Sequence, residues 1–184
     1  MKKVLVAMVV AALVPAAAQA DETIAVSKPK QMHLGVSAAM AVPRADIDDG
    51  ASASPAVSLS FGYDVRPELR LGAEVRYIKV ELDDAPSGVD AHYYDLGFAA
   101  RFQHRLASAM NGFLEGRLMR SAIDVSYLAV SDSSAGLGLG ARAGIELTIA
   151  GRMTLTASAS YSTADVYGGS ADWLAVEGGL GLEF

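Results

Sequence analysis

The sequence predicts an all-β fold of eight antiparallel strands in up-and-down order, closed into a transmembrane β-barrel. Three observations carry that reading. Apolar residues alternate with small or polar ones, at a period of two, in eight separate segments. The connections between those segments alternate in length, and the chain finishes on an alternating strand that ends at Phe184. In that last stretch Leu174, Val176, Gly178, Leu180, Leu182 and Phe184 share one face, while Ala175, Glu177, Gly179, Gly181 and Glu183 share the other.

At the N-terminus Lys2 and Lys3 precede an apolar run from Val4 to Val14, and Ala18-Gln19-Ala20 supplies small residues before a cut at Asp21. Residues 1–20 therefore read as a secretory signal peptide. The run is too short for a membrane-spanning helix, and nowhere else does the chain offer about 18 consecutive apolar residues. Residues 21–30, with Pro29, form a short polar lead-in, expected to be a periplasmic tail outside the barrel. The 164 residues left after removing twenty from 184 suit a single domain, placed at 31–184.

The first predicted strand, Met32 to Val42, sets Met32, Leu34, Val36, Ala38, Met40 and Val42 against His33, Gly35, Ser37, Ala39 and Ala41. The second, Ala56 to Val65, alternates Val57, Leu59, Phe61, Tyr63 and Val65 with Ser58, Ser60, Gly62 and Asp64. Arg66-Pro67-Glu68 makes a tight turn, because proline presets a turn-compatible φ and cannot donate to a ladder. Strand three, Leu69 to Val80, turns Arg70, Gly72, Glu74 and Arg76 inward. Strand four, from about His92, turns Tyr93, Asp95, Gly97, Ala99 and Arg101 inward. Strand five, Phe113 to about Ile123, has Glu115 and Arg117 inward, and its pattern blurs at Met119 and Arg120, where a bulge is expected. Strand six, Leu137 to Leu147, opposes Gly138, Gly140, Arg142, Gly144 and Glu146 to an apolar face. Strand seven, Met153 to Tyr161, follows an Ala150-Gly151 turn and carries Thr154, Thr156, Ser158 and Ser160 inward.

Long polar connections are expected near Pro43–Pro55, Asp83–Ala91, Asp124–Ala135 and Thr163–Asp172, and short ones near Arg66, His104–Gly112 and Ala150. Short periplasmic turns and longer external loops are the rule for outer-membrane barrels, which places both termini in the periplasm. Tyr77, Tyr94, Tyr127, Tyr161 and Trp173 near the outer loops, with Phe102 and Phe184 at the other end, are expected to form two aromatic girdles.

Composition narrows the function classes. Cysteine is absent, so neither disulfides nor a thiolate metal site hold this exported chain together. Without Lys2 and Lys3 the chain carries 13 basic against 21 acidic residues, a formal charge of −8, which argues against nucleic acid as a partner. The hydrophobic content of 52% is spread in alternation, as barrel strands require.

The terminal strand, with Leu180, Leu182 and Phe184, resembles the assembly signal of bacterial outer-membrane β-barrels, and the mature chain resembles the small eight-stranded barrels of the OmpA-transmembrane-domain and OmpX type. The resemblance covers nearly all of 31–184. It implies insertion in the bacterial outer membrane, contact with outer-membrane lipids and lipopolysaccharide, and recognition by the barrel-assembly machinery through the C-terminal strand. No peptidoglycan-binding domain is expected to follow the barrel.

The inward face gathers Asp64, Arg70, Glu74, Arg76, Asp95, Arg101, Glu115, Arg117, Arg142 and Glu146. An eight-stranded barrel is just wide enough for side chains to fill it, and a lone buried charge costs several kcal/mol, so these groups are expected to pair. Arg76 with Asp95 and Arg101 with Glu115 are the expected pairs. The network reads as a structural plug, and alternatively as the lining of a narrow path for ions or small polar solutes. A third class is a lipid A-modifying barrel enzyme. His92 near Ser87 and Asp90 is the nearest approach to a triad, and it matches no motif, so no catalytic residue is assigned. Gly136-Leu-Gly138-Leu-Gly140 lies within a strand rather than before a helix, which removes the nucleotide reading and leaves no cofactor. Asp46-Ile-Asp48-Asp49-Gly50 lacks the later Gly and Glu of a calcium loop, so no metal is assigned. Asp46, Asp48, Asp49, Asp83, Asp84 and Asp90 read as a solvated acidic rim, with divalent bridging to lipopolysaccharide as the alternative. The primary expectation is a non-enzymatic barrel serving envelope structure or surface interaction.

Overall fold

The structure is a computed structural model and describes residues 31–45, 51–83, 88–127 and 130–184. The expected signal peptide and lead-in, and the Asp46–Gly50 segment, lie outside the described residues.

Eight strands run β1 (Met32–Ala45), β2 (Ser54–Arg66), β3 (Leu69–Val80), β4 (Val89–Ala107), β5 (Met110–Tyr127), β6 (Val130–Ala150), β7 (Met153–Val166) and β8 (Gly169–Glu183). Each pairs antiparallel with its sequence neighbours, and β8 pairs with β1 to close the barrel. At the seam the backbones of Met32 and Phe184 exchange both hydrogen bonds, N–H of Met32 to O of Phe184 at 3.2 Å and the reverse at 3.0 Å. Closure leaves no sheet edge in the lipid, which is what a strand needs to cross a bilayer.

Register fixes the geometry. Paired residues followed once around the barrel run Met32, Tyr63, Leu71, Ala100, Gly116, Ala141, Tyr161, Leu174 and return to β1 at Val42, a stagger of ten residues (42 − 32). With a rise of about 3.3 Å and a strand spacing of about 4.8 Å, that stagger tilts the strands by about 40° from the axis. The outward face is apolar over most of its height: Val36, Leu59, Val75, Leu96, Phe98, Leu118, Leu137, Val176 and Leu180 are all exposed. A ligand-binding barrel with its apolar face inward has the opposite arrangement.

Three register shifts, at Asp64/Arg66, Arg105/Ala107 and Thr148/Ala150, sit beside the three turns at one end of the barrel. Bulges at a rim let a tilted strand reverse tightly. The bulge expected at Met119 and Arg120 is absent, because β5 pairs without interruption from Asn111 to Tyr127. Met119 turns inward and is buried, while Arg120 turns outward, so the alternation continues with an unusual residue on each face.

Most of the expected His104–Gly112 connection is strand, since β4 runs to Ala107 and β5 begins at Met110, and two of the expected long loops also prove to be strand. Asp124–Ala135 is a hairpin in which Asp124 pairs with Ser133 and Tyr127 with Val130, and Thr163–Asp172 is one in which Thr163 pairs with Asp172 and Val166 with Gly169. The second turns on Tyr167 (φ 52°) and Gly168 (φ 73°), two positive φ values in succession as a type I′ turn requires. These strand ends stand beyond the apolar band. Their outward faces carry Asp124, Ser126, Ser131, Ser133, Asp165 and Ser170 in place of apolar residues, so they look like loop in sequence, although Ala164, Val166 and Ala171 still turn inward and are buried. A membrane crossing takes about 9–11 tilted residues, and β4, β5 and β6, at 19, 18 and 21 residues, overshoot it clearly.

Candidate lumen network and loop-end cluster

Alternation along each strand delivers one charged side chain after another to the interior, and the stagger stacks them in three zones. Near the bulged end, His33 Nε2 and Arg70 Nε each lie 2.8 Å from the Asp64 carboxylate. Arg70 and Arg101 share Glu146 at 3.3 and 3.1 Å, and Arg101 also reaches Glu115 at 2.8 Å while its guanidinium lies 4.0 Å above the Phe113 ring. A guanidinium held by two carboxylates and an aromatic face has its charge compensated from several directions.

In the middle zone Arg142 is the hub. It reaches Glu74 at 2.7 Å, Glu177 at 2.8 Å and Glu115 at 3.3 Å. Arg117 binds Glu74 at 2.9 Å, and Arg76 sits 3.4 Å from both Glu74 and Glu177. Ser160 donates to Glu177 at 2.5 Å. The ion pairs thus join five guanidiniums (Arg70, Arg76, Arg101, Arg117, Arg142) to five carboxylates (Asp64, Glu74, Glu115, Glu146, Glu177). A balanced set is what burial demands, since one unpaired ion costs several kcal/mol.

Toward the loop end the interior becomes apolar. Trp173, Tyr93, Ile78, Ala41, Ala56, Ala91, Val166 and Ala171 form a buried cluster, with the Trp173 and Tyr93 rings 5.6 Å apart. Asp95 borders it, accepting a hydrogen bond from Ser121 at 2.5 Å. A cavity of about 80 Å³ lies in the other half, lined by His33, Ser58, Arg70, Arg101, Thr156 and Glu177 among others. It has room for a few water molecules and stops short of the Trp173 cluster.

All ten expected lumen residues face inward, and nine join the ion-pair network. The Arg101–Glu115 pair forms as expected. The Arg76–Asp95 pair does not: the two are register partners, but Arg76 turns to Glu74 and Glu177, and Asp95 turns to Ser121. Glu177 and His33 were missing from the expected network, although alternation had already set Glu177 opposite Leu174 and Val176. Trp173 is not a girdle residue. Its parity on β8 is that of Ala175 and Glu177, so it points into the barrel and is 1% exposed. Tyr94 does face outward, whereas Tyr127 shares the inward parity of Arg117 and Ser121 and is exposed because it lies at the end of β5. Tyr77, Tyr94 and His92 gather in one ring cluster, with Tyr77 Oη 2.8 Å from His92 Nδ1. Asp90 is exposed nearby, and Ser87 lies outside the described residues. The inward glycines of β6 clear space for their neighbours: a Cβ at Gly140 meets Arg117 and Met119, and one at Gly144 meets Ala157, Ser158 and Phe113.

Beyond the apolar band the two long hairpins touch. The Tyr167 N–H donates to Ser134 Oγ at 2.8 Å, and the Tyr167 phenol is pushed up by desolvation and by the Asp132 and Asp124 carboxylates. Among the described residues no group of His, Asp or Glu has the geometry to hold a metal ion.

The family model described as "Outer membrane protein beta-barrel domain" matches residues 4–184. Several solved structures share the fold. Neisserial surface protein A aligns with a TM-score of 0.73 at 21% identity, covering 83% of this chain and 97% of its own. Ail, the attachment invasion locus protein of Yersinia pestis, aligns at 0.57 and 13%, covering 84% and 98%. OprG of Pseudomonas aeruginosa aligns at 0.56 and 11%, covering 86% and 97%. No match was found among curated proteins. The chain belongs to the outer membrane protein β-barrel domain family and is an integral protein of the bacterial outer membrane.

Proposed function

We propose that this member of the outer-membrane β-barrel family is a closed, non-enzymatic anchor that carries protruding hairpins at the cell surface, for envelope structure or surface interaction. The observation that supports it best is the filling of the lumen in two chemically different layers. A water or ion moving from the bulged end meets a neutral ion-pair network and then the apolar cluster around Trp173 and Tyr93. With no path through the barrel, its free surface is at the ends of the strands. The proposed orientation sets the three bulged turns and both termini in the periplasm and the β5–β6 and β7–β8 hairpins outside.

The external ends are acidic, with Asp83, Asp90, Asp124, Asp132 and Asp165. Ail has been solved with a heparin analogue, sucrose octasulfate. A polysulfate meets like charge at these ends, so the partner chemistry proposed here is neutral or cationic, or lipopolysaccharide bridged by divalent ions. Recognition by the assembly machinery through Leu180, Leu182 and Phe184, all exposed on β8 or just beyond it, belongs to the same reading.

A narrow channel is the second reading, favoured by the polar cavity of about 80 Å³. Swelling of proteoliposomes in small sugars and salts separates the two: the anchor leaves permeability at the level of empty liposomes, and a channel raises it. Incubation with lipid A followed by mass spectrometry tests the enzyme reading, and any acyl change attributable to the protein overturns the non-enzymatic one.

A further inference from the structure

We propose that the outward face of β3–β5 binds the phosphorylated headgroup of an outer-leaflet glycolipid through Arg120 and Lys79, flanked by the Tyr77–His92–Tyr94 cluster. Arg120 is exposed on the face that meets lipid. Its register partners are Leu96 on β4 and Leu137 on β6, and Leu118 lies one step along the same face of β5; all three are exposed apolar residues. Nothing in that neighbourhood neutralises the guanidinium, and Arg120 forms no hydrogen bond or ion pair among the described residues. The same holds for Lys79, exposed on the outward face of β3, even with Glu81 next along that face. A cation on a lipid face is tolerated near the membrane interface, where it reaches the headgroups.

Register shows that the two cations sit at similar depths. Lys79 pairs with His92, and His92 with Asp124, four residues beyond Arg120 on β5. Moving down β5 from Asp124 to Arg120 lowers the position by about 10 Å, and the barrel's stagger raises it by about 6 Å over two strands, so Arg120 lies about 4 Å below Lys79. On the sheet surface the two residues are separated by roughly 16 Å, from two strand spacings of 4.8 Å and four rises of 3.3 Å. Between them stand Tyr94, 39% exposed, and His92, whose ring stacks on Tyr77. Tyrosine and histidine rings with polar tips suit the boundary between acyl chains and headgroups.

The occupant follows from charge and depth. Two unpartnered cations spaced across a hydrophobic surface complement an amphiphile with acyl chains below and phosphates above. The row lies at the end of the barrel with the protruding hairpins, so the lipid belongs to the leaflet on that side. This rests on the proposed orientation, but not on the anchor reading of the lumen.

Folded protein in detergent is titrated with bisphosphorylated lipid A and with its dephosphorylated form, and bound lipid is read by native mass spectrometry. Each cation near a headgroup contributes about a factor of five, so Arg120→Ala with Lys79→Ala weakens bisphosphorylated lipid A roughly thirtyfold and leaves the dephosphorylated form unaffected. Arg120→Lys keeps binding within a few-fold. Equal retention by wild type and double variant, or no preference for phosphate, overturns the proposal. Unchanged heat-modifiable mobility shows that the variants fold. Orientation is read separately, by labelling Val130→Cys in intact cells with a membrane-impermeant maleimide. Labelling only after permeabilisation refutes the outer-leaflet assignment, even where the titration still reports a phosphate site.

Discussion

Nη2 of Arg142 lies 2.7 Å from Oε2 of Glu74, joining β6 to β3 across the lumen, and the same nitrogen lies 2.8 Å from Glu177 on β8. One side chain therefore ties three separate strands through the interior.

Removing Arg142 leaves five carboxylates to four guanidiniums, with Glu177 held only by the longer 3.4 Å contact to Arg76 and Glu74 by Arg76 and Arg117. Arg142→Ala is expected to destabilise the folded barrel by about 3–5 kcal/mol, the usual cost of breaking a buried pair from one side. Urea unfolding in phospholipid vesicles, followed by the heat-modifiable band, measures it. A loss under about 1 kcal/mol shows that the network is solvated rather than buried.

Trp173 is the chain's single tryptophan, so its fluorescence reports one place. Buried against Tyr93 inside the barrel, it is expected to resist quenching by brominated lipid and by aqueous iodide alike. A residue in an interfacial girdle, as the sequence suggested, is quenched strongly by the lipid. Trp173→Ala empties a large part of the apolar cluster and should cost about 3–5 kcal/mol.

Most of the architecture is legible in sequence for a simple reason. In the lipid band one face of each strand meets acyl chains and the other meets the lumen, so period two is imposed and β3 is read to the residue, Leu69–Val80. Above the band the outward face loses its lipid and carries Asp and Ser, which makes Asp124–Ala135 and Thr163–Asp172 look like loops even though Ala164, Val166 and Ala171 still turn inward. The membership of the lumen network was legible from parity, but its pairings were not. Arg76 is long enough to pass over its register partner Asp95 and reach Glu177 on β8, and the stagger that brings β8 to that height is a property of the closed barrel. Trp173 departs from the girdle expectation because its parity on β8, and not tryptophan's preference for interfaces, sets where its side chain points.

Deleting Phe184 removes the backbone pair that closes the seam with Met32 and the last exposed aromatic ring of β8. The outer-membrane fraction is expected to hold several-fold less of the heat-modifiable form, with protein accumulating unfolded in the periplasm. Wild-type levels of folded protein after the deletion show that Leu180 and Leu182 suffice for assembly.

The hairpin ends carry no lipid-facing burden, so they accept change. Replacing Tyr167 with Gly at its left-handed φ of 52° relieves the strain of a side chain there. It also removes the ring that lies against the β5–β6 hairpin, so stability should change by under about 1 kcal/mol while any surface binding is lost. Vesicle unfolding read beside a cell-surface binding assay separates the two effects.

Single-channel recording in planar bilayers tests the central claim, a lumen closed by the Arg142-centred network and the Trp173 cluster. Wild type is expected to give no discrete conductance steps, and Arg76→Ala with Arg117→Ala is expected to stay silent because the apolar layer remains intact. Reproducible steps from wild type, or steps that grow in the double variant, contradict it and make the network a gate.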